Sequence, residues 1–358
     1  MTQVLSHADF GNSGALRKRM TPQDARLRSF RVKAIRVVFI AAALAAILGL
    51  VGSVLVRLIQ TANVPSAPVI DGENLVIEKP RFVGNTKDGS KIIVTADKAT
   101  RPVASQNGLV QLEKPVLETS DGSKATALNG LWSQTEQTLS LTGDVVLTRS
   151  GGDKATSARA VWTSVPAQLT MNDGVTLTLQ NGDQATSGRA VWTSVPSQLS
   201  LNDAVSLTRQ NGDQATGDSA IWTTEPAQLM VTGNVALSRS GGARATSGAA
   251  SWRSDIGSLD LTGGANIALP TGESASAVTA RLDDRRGDIR LDGQAIVRFS
   301  AGQASSARAY YQNSNGLLSG DGGIQITSNL GTGSADRYVY ETRSKRLTMS
   351  GNARATLR

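Results

Sequence analysis

Residues 182–211 read GDQATSGRAVWTSVPSQLSLNDAVSLTRQN, and residues 152–181 and 212–241 are close copies of this phrase. The same period of thirty residues separates the five tryptophans and a column of glycines. The members of these two columns are Trp132, Trp162, Trp192, Trp222, Trp252, Gly122, Gly152, Gly182, Gly212, Gly242, Gly272 and Gly302. A fixed period of this length is the sequence signature of stacked repeats. The array begins near Gly122 and continues, in a more degenerate form, to the C-terminus.

Within each unit the apolar residues recur at every second position. In one unit this alternation runs through residues 155–162, 169–171 and 175–179. Segments in which apolar and polar residues alternate, bounded by Gly, Asn or Asp, are predicted to be strands that are buried on one face. Residues 172–174, Asn-Asp-Gly, supply turn or bulge chemistry between the second and third segments. The sequence therefore predicts about three short strands per unit and an all-β fold built from repeats.

Aliphatic residues form columns when the units are aligned on their period, and twelve of them are candidates for the lining of a lipid groove. The twelve are Leu139, Leu141, Leu147, Leu169, Met171, Leu177, Leu199, Leu201, Leu207, Leu229, Val231 and Leu237. The column that contains Arg159 and Arg189 is typical of a solvated face. Two interpretations remain open. The aliphatic columns either form the closed core of a sandwich or solenoid, or they line a groove that accepts hydrocarbon chains.

The N-terminal part of the chain combines a basic tail with a long apolar run. Residues 1–36 contain eight Lys/Arg and two Asp, whereas residues 37–56 contain no charged residue. Twenty apolar residues have the length of one membrane-spanning helix. A secretory signal peptide, whose apolar region is shorter, is the alternative. Because the basic residues precede the span, we expect a single-pass anchor with its N-terminus in the cytoplasm. Residues 57–73 are predicted to be a linker outside the inner membrane.

Composition excludes several classes of function. The chain has no Cys, and its only His is His7, so disulfides, thiolate nucleophiles, His-ligated metals and Ser-His-Asp catalysis are excluded. Asp283 and Asp284 are adjacent carboxylates, but successive residues of a strand point to opposite faces. Residues 58–358 carry a net charge of only +1, which disfavours nucleic-acid binding. We predict no enzymatic activity, no cofactor and no metal.

Residues 78–99, EKPRFVGNTKDGSKIIVTADKA, resemble the start of the periplasmic domain of the LptC family of lipopolysaccharide export proteins. Residues 110–117, VQLEKPVL, resemble the strand that follows it in that family. The residues that carry this resemblance are Pro80, Phe82, Gly84, Asp88, Gly89, Thr95, Ala96 and Pro115. The phrases LTGDVVLT (141–148) and VTGNVALS (231–238) resemble the OstA-like repeat shared by LptC, LptA and the N-terminal domain of LptD. The LptC-like part covers roughly residues 30–150, and OstA-like repeats cover 122–358.

The resemblance implies a fold and a function. It implies a V-shaped, jelly-roll-like stack of antiparallel strands whose apolar cleft shields the acyl chains of lipid A. Such a domain, anchored in the inner membrane, receives lipopolysaccharide from an ABC transporter and passes it to an LptA-like bridge protein through paired edge strands. Residues 74–150 would start this periplasmic domain, and the repeats of residues 151–358 would continue the same stack. The alternative is a structural or adhesive membrane-anchored β-solenoid with a closed core and no lipid cargo.

Overall fold

The computed structural model describes residues 69–357 apart from positions 86–90, 104–107, 121, 134, 137, 165–166, 194–195, 197, 224–225 and 301. These residues form 27 β-strands in one antiparallel sheet, and no helix occurs among them. The predicted all-β class is therefore confirmed. The predicted anchor, residues 37–56, lies outside the described part of the chain. Within that part, no helix is long and apolar enough to cross a membrane.

Nine short strands precede the regular repeats. They are β1 (Val69–Asp71), β2 (Asn74–Glu78), β3 (Arg81–Asn85), β4 (Lys91–Thr95), β5 (Lys98–Pro102), β6 (Leu109–Glu113), β7 (Val116–Thr119), β8 (Lys124–Thr126) and β9 (Asn129–Ser133). They pair into two ladders, β1-β2-β5-β6-β9 and β3-β4-β7-β8. Strand β1 lies inside the segment 57–73 that was predicted to be a linker. Val69 and Ile70 are both exposed, so this strand has no alternation of buried residues that could reveal it.

Eight strands then follow, and each thirty-residue unit contributes two of them. They are β10 (Thr138–Thr148), β11 (Lys154–Ser164), β12 (Ala167–Thr178), β13 (Gln184–Thr193), β14 (Gln198–Thr208), β15 (Gln214–Thr223), β16 (Gln228–Ser238) and β17 (Arg244–Arg253). The prediction of three short strands per unit is wrong. The expected second and third strands are two halves of one long strand.

A β-bulge joins these two halves. In β12 the pairing with β13 shifts between Asn172 and Val175. Asp173 and Gly174, with φ of 65° and 80°, occupy the left-handed region at the shift. Asn, Asp and Gly tolerate this conformation in bulges as well as in turns, so the residue types alone did not distinguish the two.

The remaining strands continue the pattern, with some long strands divided in two. They are β18 (Ser258–Thr262), β19 (Ala265–Ala268), β20 (Ser274–Ala277), β21 (Thr279–Asp283), β22 (Asp288–Phe299), β23 (Gly302–Gln312), β24 (Leu317–Ser328), β25 (Gly331–Glu341), β26 (Arg346–Ser350) and β27 (Arg354–Leu357). Strand β17 pairs with β18 through one half and with β19 through the other. In the same way β25 pairs with both β26 and β27.

The line of bulges divides the sheet into two walls. We call the half that contains the Trp column the tryptophan wall, and it continues from β9. It comprises the described residues of 129–142, 159–172, 189–202, 219–232, 249–262, 279–292, 308–321 and 337–350. The opposite wall continues from β8 and comprises the described residues of 145–157, 175–187, 205–217, 235–247, 265–277, 295–306 and 324–335. Leu139 and Leu141 of the first wall and Val145 and Leu147 of the second belong to one buried cluster. The sheet is therefore folded along the bulges, with its apolar core between the walls.

Candidate functional site: a cavity between the two walls

The interior is filled at the N-terminal end of the repeats and opens further along. In the tryptophan wall the exposed fraction is 0% for Trp132, 2% for Trp162 and 5% for Trp192. Trp222 and Trp252, in the next two units, are only half-buried. All five residues occupy the same position of the repeat, so the residue type does not explain the change; Trp222 and Trp252 line a cavity, which is described below.

The opposite wall shows the same gradient. Leu147 is 0% exposed and Leu177 is 8% exposed, whereas Leu207 and Leu237 are half-buried. Ile267, at the equivalent position of the following unit, is buried again. The opening is therefore confined to the middle of the array.

The space has a volume of about 540 Å³, within the range of pockets that hold small ligands. Both walls line it with aliphatic and aromatic side chains. The tryptophan wall contributes Leu199, Leu201, Ala220, Trp222, Leu229, Val231, Ala250, Trp252 and Leu259; the opposite side contributes Leu177, Leu179, Ala185, Leu207, Ala215 and Leu237.

Seven of the twelve predicted groove residues line this cavity. They are Leu177, Leu199, Leu201, Leu207, Leu229, Val231 and Leu237. The other five are packed in the closed core of the earlier units; they are Leu139, Leu141, Leu147, Leu169 and Met171. The structure thus contains both a closed core and a cavity, each in its own part of one array. That these side chains contact lipid stays a prediction.

Charged residues border the apolar space. The Arg209 guanidinium carbon lies 5.5 Å from the centroid of the Trp252 ring, and burial lowers the pKa of Arg209. Arg239 Nη2 lies 2.5 Å from Asp284 Oδ1. Sequence reasoning missed these residues, although Arg209 and Arg239 are thirty positions apart and could have been found as a column.

Three aspartates on the rim of the opposite wall were also missed. Oδ1 of Asp153, Asp183 and Asp213 accepts a hydrogen bond from the backbone N of Gln180, Gln210 and Ser240, at 2.8, 2.9 and 3.0 Å. Each aspartate therefore fixes the turn of the next unit.

The environment of Asp213 favours its charged form. Burial alone would raise the pKa of Asp213, but hydrogen bonds from Ser240 and Asn211, together with the charges of Arg209 and Arg239, lower it. Asp213 thus stays ionised beside the cavity, and its charge supports that of Arg209.

Asp283 and Asp284 engage different partners. Asp283 Oδ2 accepts from Arg286 Nε at 2.8 Å, whereas Asp284 contacts Arg239. Within the part of the chain that the structure covers, no cluster of three or more His, Cys, Asp or Glu could hold a metal ion.

The family-motif residues lie at the N-terminal end of the sheet. Phe82 and Ala96 belong to the buried cluster, and Pro80 and Pro115 are buried. Thr95 is half-buried in β4, and its Oγ1 donates to the carbonyl of Val116 at 3.5 Å. Gly84 lies in β3, and Asp88 and Gly89 are outside the described residues.

Residues 41–183 match the model of the family described as lipopolysaccharide-assembly, LptC-related. The chain contains an LptC-related segment. The predicted resemblance to LptC is therefore confirmed over these residues, which include all eight motif positions and most of the apolar run 37–56. The LptC-related segment ends where the cavity begins, because Leu177, Leu179 and Asp183 are the first residues along the chain to line it.

Two solved structures are similar to part of this chain. One is LptH from Pseudomonas aeruginosa, the LptA homologous periplasmic component of its lipopolysaccharide transport device. The two sequences are 9% identical, and the TM-score is 0.23. The match covers 42% of this chain and 96% of LptH. The other is the TCP10 domain of Danio rerio CPAP in complex with a STIL peptide. The two sequences are 9% identical, the match covers 62% of this chain and 99% of that domain, and the TM-score is 0.14. Scores this low say nothing about function. A search of curated proteins finds no match to the chain.

Proposed function

We propose that the protein is a non-enzymatic carrier of lipopolysaccharide that holds lipid A acyl chains between its two walls. The observation that carries this proposal is the apolar cavity of about 540 Å³ in the same sheet as the LptC-related segment. The cavity is lined mainly by Leu, Val, Ala and Trp side chains from both walls. Such a lining suits hydrocarbon, and the charged lining residues Asp183, Arg209, Asp213, Arg239 and Asp284 suit a polar headgroup.

The proposed mechanism requires only that acyl chains are buried from water, and no covalent bond is formed or broken. Removing a methylene group from water contributes about 0.8 kcal/mol, so an acyl chain of ordinary length is held firmly by an apolar space alone. Because the aliphatic columns run from unit to unit, a lipid acyl chain can slide from one unit to the next without meeting water. Within the cavity, neighbouring units present equivalent Leu, Val and Ala side chains, so an acyl chain has a similar energy at neighbouring positions there.

The location and the partners belong to the same proposal. Residues 37–56 would anchor the protein in the inner membrane with a cytoplasmic N-terminus, and residues from about 57 onward would lie in the periplasm. An ABC transporter would deliver lipopolysaccharide to the array. Within the described residues, β26 and β27 pair with β25 alone, so their free edges offer main-chain donors and acceptors to an LptA-like bridge protein.

A membrane-anchored structural solenoid without cargo is the second candidate. The observation that favours it is the closed packing around Trp132 and Leu147, both with 0% exposure. A solenoid of this kind would have no use for a cavity open between the walls, which is why we prefer the carrier.

Site-specific photocrosslinking in cells that export lipopolysaccharide tests the proposal. A photoreactive residue in place of Leu199, which lines the cavity, is expected to crosslink lipopolysaccharide. The same residue in place of Arg189, which is exposed on the outer face, is the matched control and should not. Equal labelling at the two positions, or none at Leu199, contradicts the proposed carrier and favours the solenoid.

A further inference from the structure

Contacts join the rims of the two walls across the opening of the fold. They arise from one column of the repeat, at the C-terminal end of alternate strands on the opposite wall. We call it the rim column; its members are Arg149, Leu179, Arg209, Arg239, Leu269 and Phe299. This column carries cationic, aliphatic and aromatic side chains, in contrast to the uniform interior columns.

Three members of the rim column reach the tryptophan wall in the same way. Arg209 lies over Trp252, and Phe299 stacks on Tyr340 with ring centroids 4.9 Å apart. Arg239 pairs with Asp284, which directly follows β21. In each case the partner lies between 41 and 45 residues further along the chain. The rims thus meet repeatedly, and the chemistry of each contact depends on the residue in the rim column.

The Arg209–Trp252 and Arg239–Asp284 contacts lie at the cavity, whereas the Phe299–Tyr340 contact does not. Arg209, Trp252, Arg239 and Asp284 all line the cavity. The side chains of Arg239 and Asp284 are 57% and 32% exposed, and an ion pair so open to water contributes little to stability. One of the two contacts between the rims at the cavity is therefore an ion pair that adds little to stability.

We propose that Arg239–Asp284 and Arg209–Trp252 form a lateral gate through which an amphiphile inserts its hydrocarbon chain into the cavity. This inference rests on the proposed function, because a gate needs a lipid cargo. When the rims separate, hydrocarbon enters from the side while the polar headgroup stays in water at the rim. Cargo could then join or leave the array at its middle, without passing along every unit from the end.

The absence of native cysteine allows a direct test. Arg239→Cys and Asp284→Cys are combined in the full chain, held in phosphatidylcholine nanodiscs, and the two thiols are bridged with a bis-methanethiosulfonate linker that a reductant removes. The probe is hexadecyl phosphate with a diazirine in its alkyl chain, and mass spectrometry measures the labelling of cavity peptides. We expect labelling to be lost in the bridged protein and to return on reduction.

A matched pair on the outer face controls for the linker. Arg308 and Asp321 are also exposed and form an ion pair at 2.9 Å, but they do not line the cavity. Arg308→Cys with Asp321→Cys, bridged in the same way, should label as fast as the unbridged protein. Asp284→Asn, which needs no linker, should label faster than the parent, whereas Asp321→Asn should not.

The outcomes separate the gate from the carrier. Equal labelling of the bridged and reduced forms of the 239/284 variant overturns the gate while leaving the cavity as a lipid site. Failure of the parent protein to label at the cavity overturns both the gate and the proposed function. A labelling rate unchanged by Asp284→Asn also counts against the gate.

Discussion

Deletion of residues 182–211 removes one whole repeat and joins Asn181 to Gly212. In the structure this deletion takes away β13 and β14 together. Strand β15 would then replace β13 as the partner of β12. Leu169 would face Trp222 where it now faces Trp192, and Met171 would face Ala220 where it now faces Ala190. Because these strand pairings are replaced by equivalent ones, the shortened protein is expected to fold, although the rim contact of Arg209 with Trp252 is lost.

The structure gives the size of the change. Adjacent strands lie about 4.8 Å apart, so the loss of two strands shortens the array by roughly 10 Å. The turn keeps its Asn-Gly sequence, and the hydrogen bond from Gln180 N to Asp153 is retained. Stability in stacked repeats is approximately a sum of unit and interface terms. We therefore expect the melting temperature to change little. Leu199 is deleted, so crosslinking of lipid is expected to continue from Leu229, which also lines the cavity.

A deletion of residues 182–196 is the control. It removes β13 alone, so β12 would be followed by β14. A reversal of the chain there would place the tryptophan-wall half of β14 beside the opposite-wall half of β12. An odd number of residues also reverses the faces of the strand. Circular dichroism, thermal melting and small-angle scattering compare the two variants. If the thirty-residue deletion is as unfolded as the fifteen-residue one, the period does not define structural units and the reasoning fails.

Three further predictions follow from burial and topology. Leu147→Ala should destabilise its unit by about 2–5 kcal/mol, whereas Leu237→Ala, at the cavity, should cost less; hydrogen exchange of each unit measures both. Burial raises the pKa of Tyr338 to about 12, so its contribution to stability is complete below about pH 10 and is lost as the pH rises towards the folded value. Denaturation across this range should show a pH dependence that Tyr338→Phe reduces. A reporter that is active only in the periplasm should be active when fused after residue 358, and activity of cytoplasmic reporters alone would contradict the proposed topology.

The pairing of interior columns could be predicted because it depends only on the period of the sequence. Thirty is an even number, so equivalent positions in neighbouring units point to the same face. In the structure, Trp and Ala lie beside the aliphatic columns. Leu139 faces Trp162, and Leu141 faces Ala160, on adjacent strands.

The number of strands per unit could not be predicted, because it depends on contacts between units. The Asn-Asp-Gly phrase at residues 172–174 permits either a reversal of the chain or a bulge. After a reversal of the chain the next segment is a new strand with a new neighbour. Beyond a bulge the same strand continues beside the same two neighbours. Both β11 and β13 remain paired with β12 on each side of the bulge, which is a property of the assembled sheet.

The cavity could not be predicted for a related reason. Leu147 and Leu237 are the same residue at the same position of the repeat, yet one is fully buried and the other is half-buried. The side chains that meet across the opening come from positions that are not equivalent in the repeat. Arg209 and Trp252 are 43 positions apart, which is not a multiple of the repeat. A pattern search at the period of thirty does not pair them.

In the closed section of the array, some buried polar groups lack a hydrogen-bond partner among the described residues. The indole N–H groups of Trp132, Trp162 and Trp192 are buried there, and the described residues offer them no hydrogen-bond partner. An unsatisfied buried donor costs about 1–3 kcal/mol, and most buried polar groups in stable cores are satisfied. The burial of the indole rings and of the aliphatic columns around them must offset this cost, since all three side chains are almost fully buried.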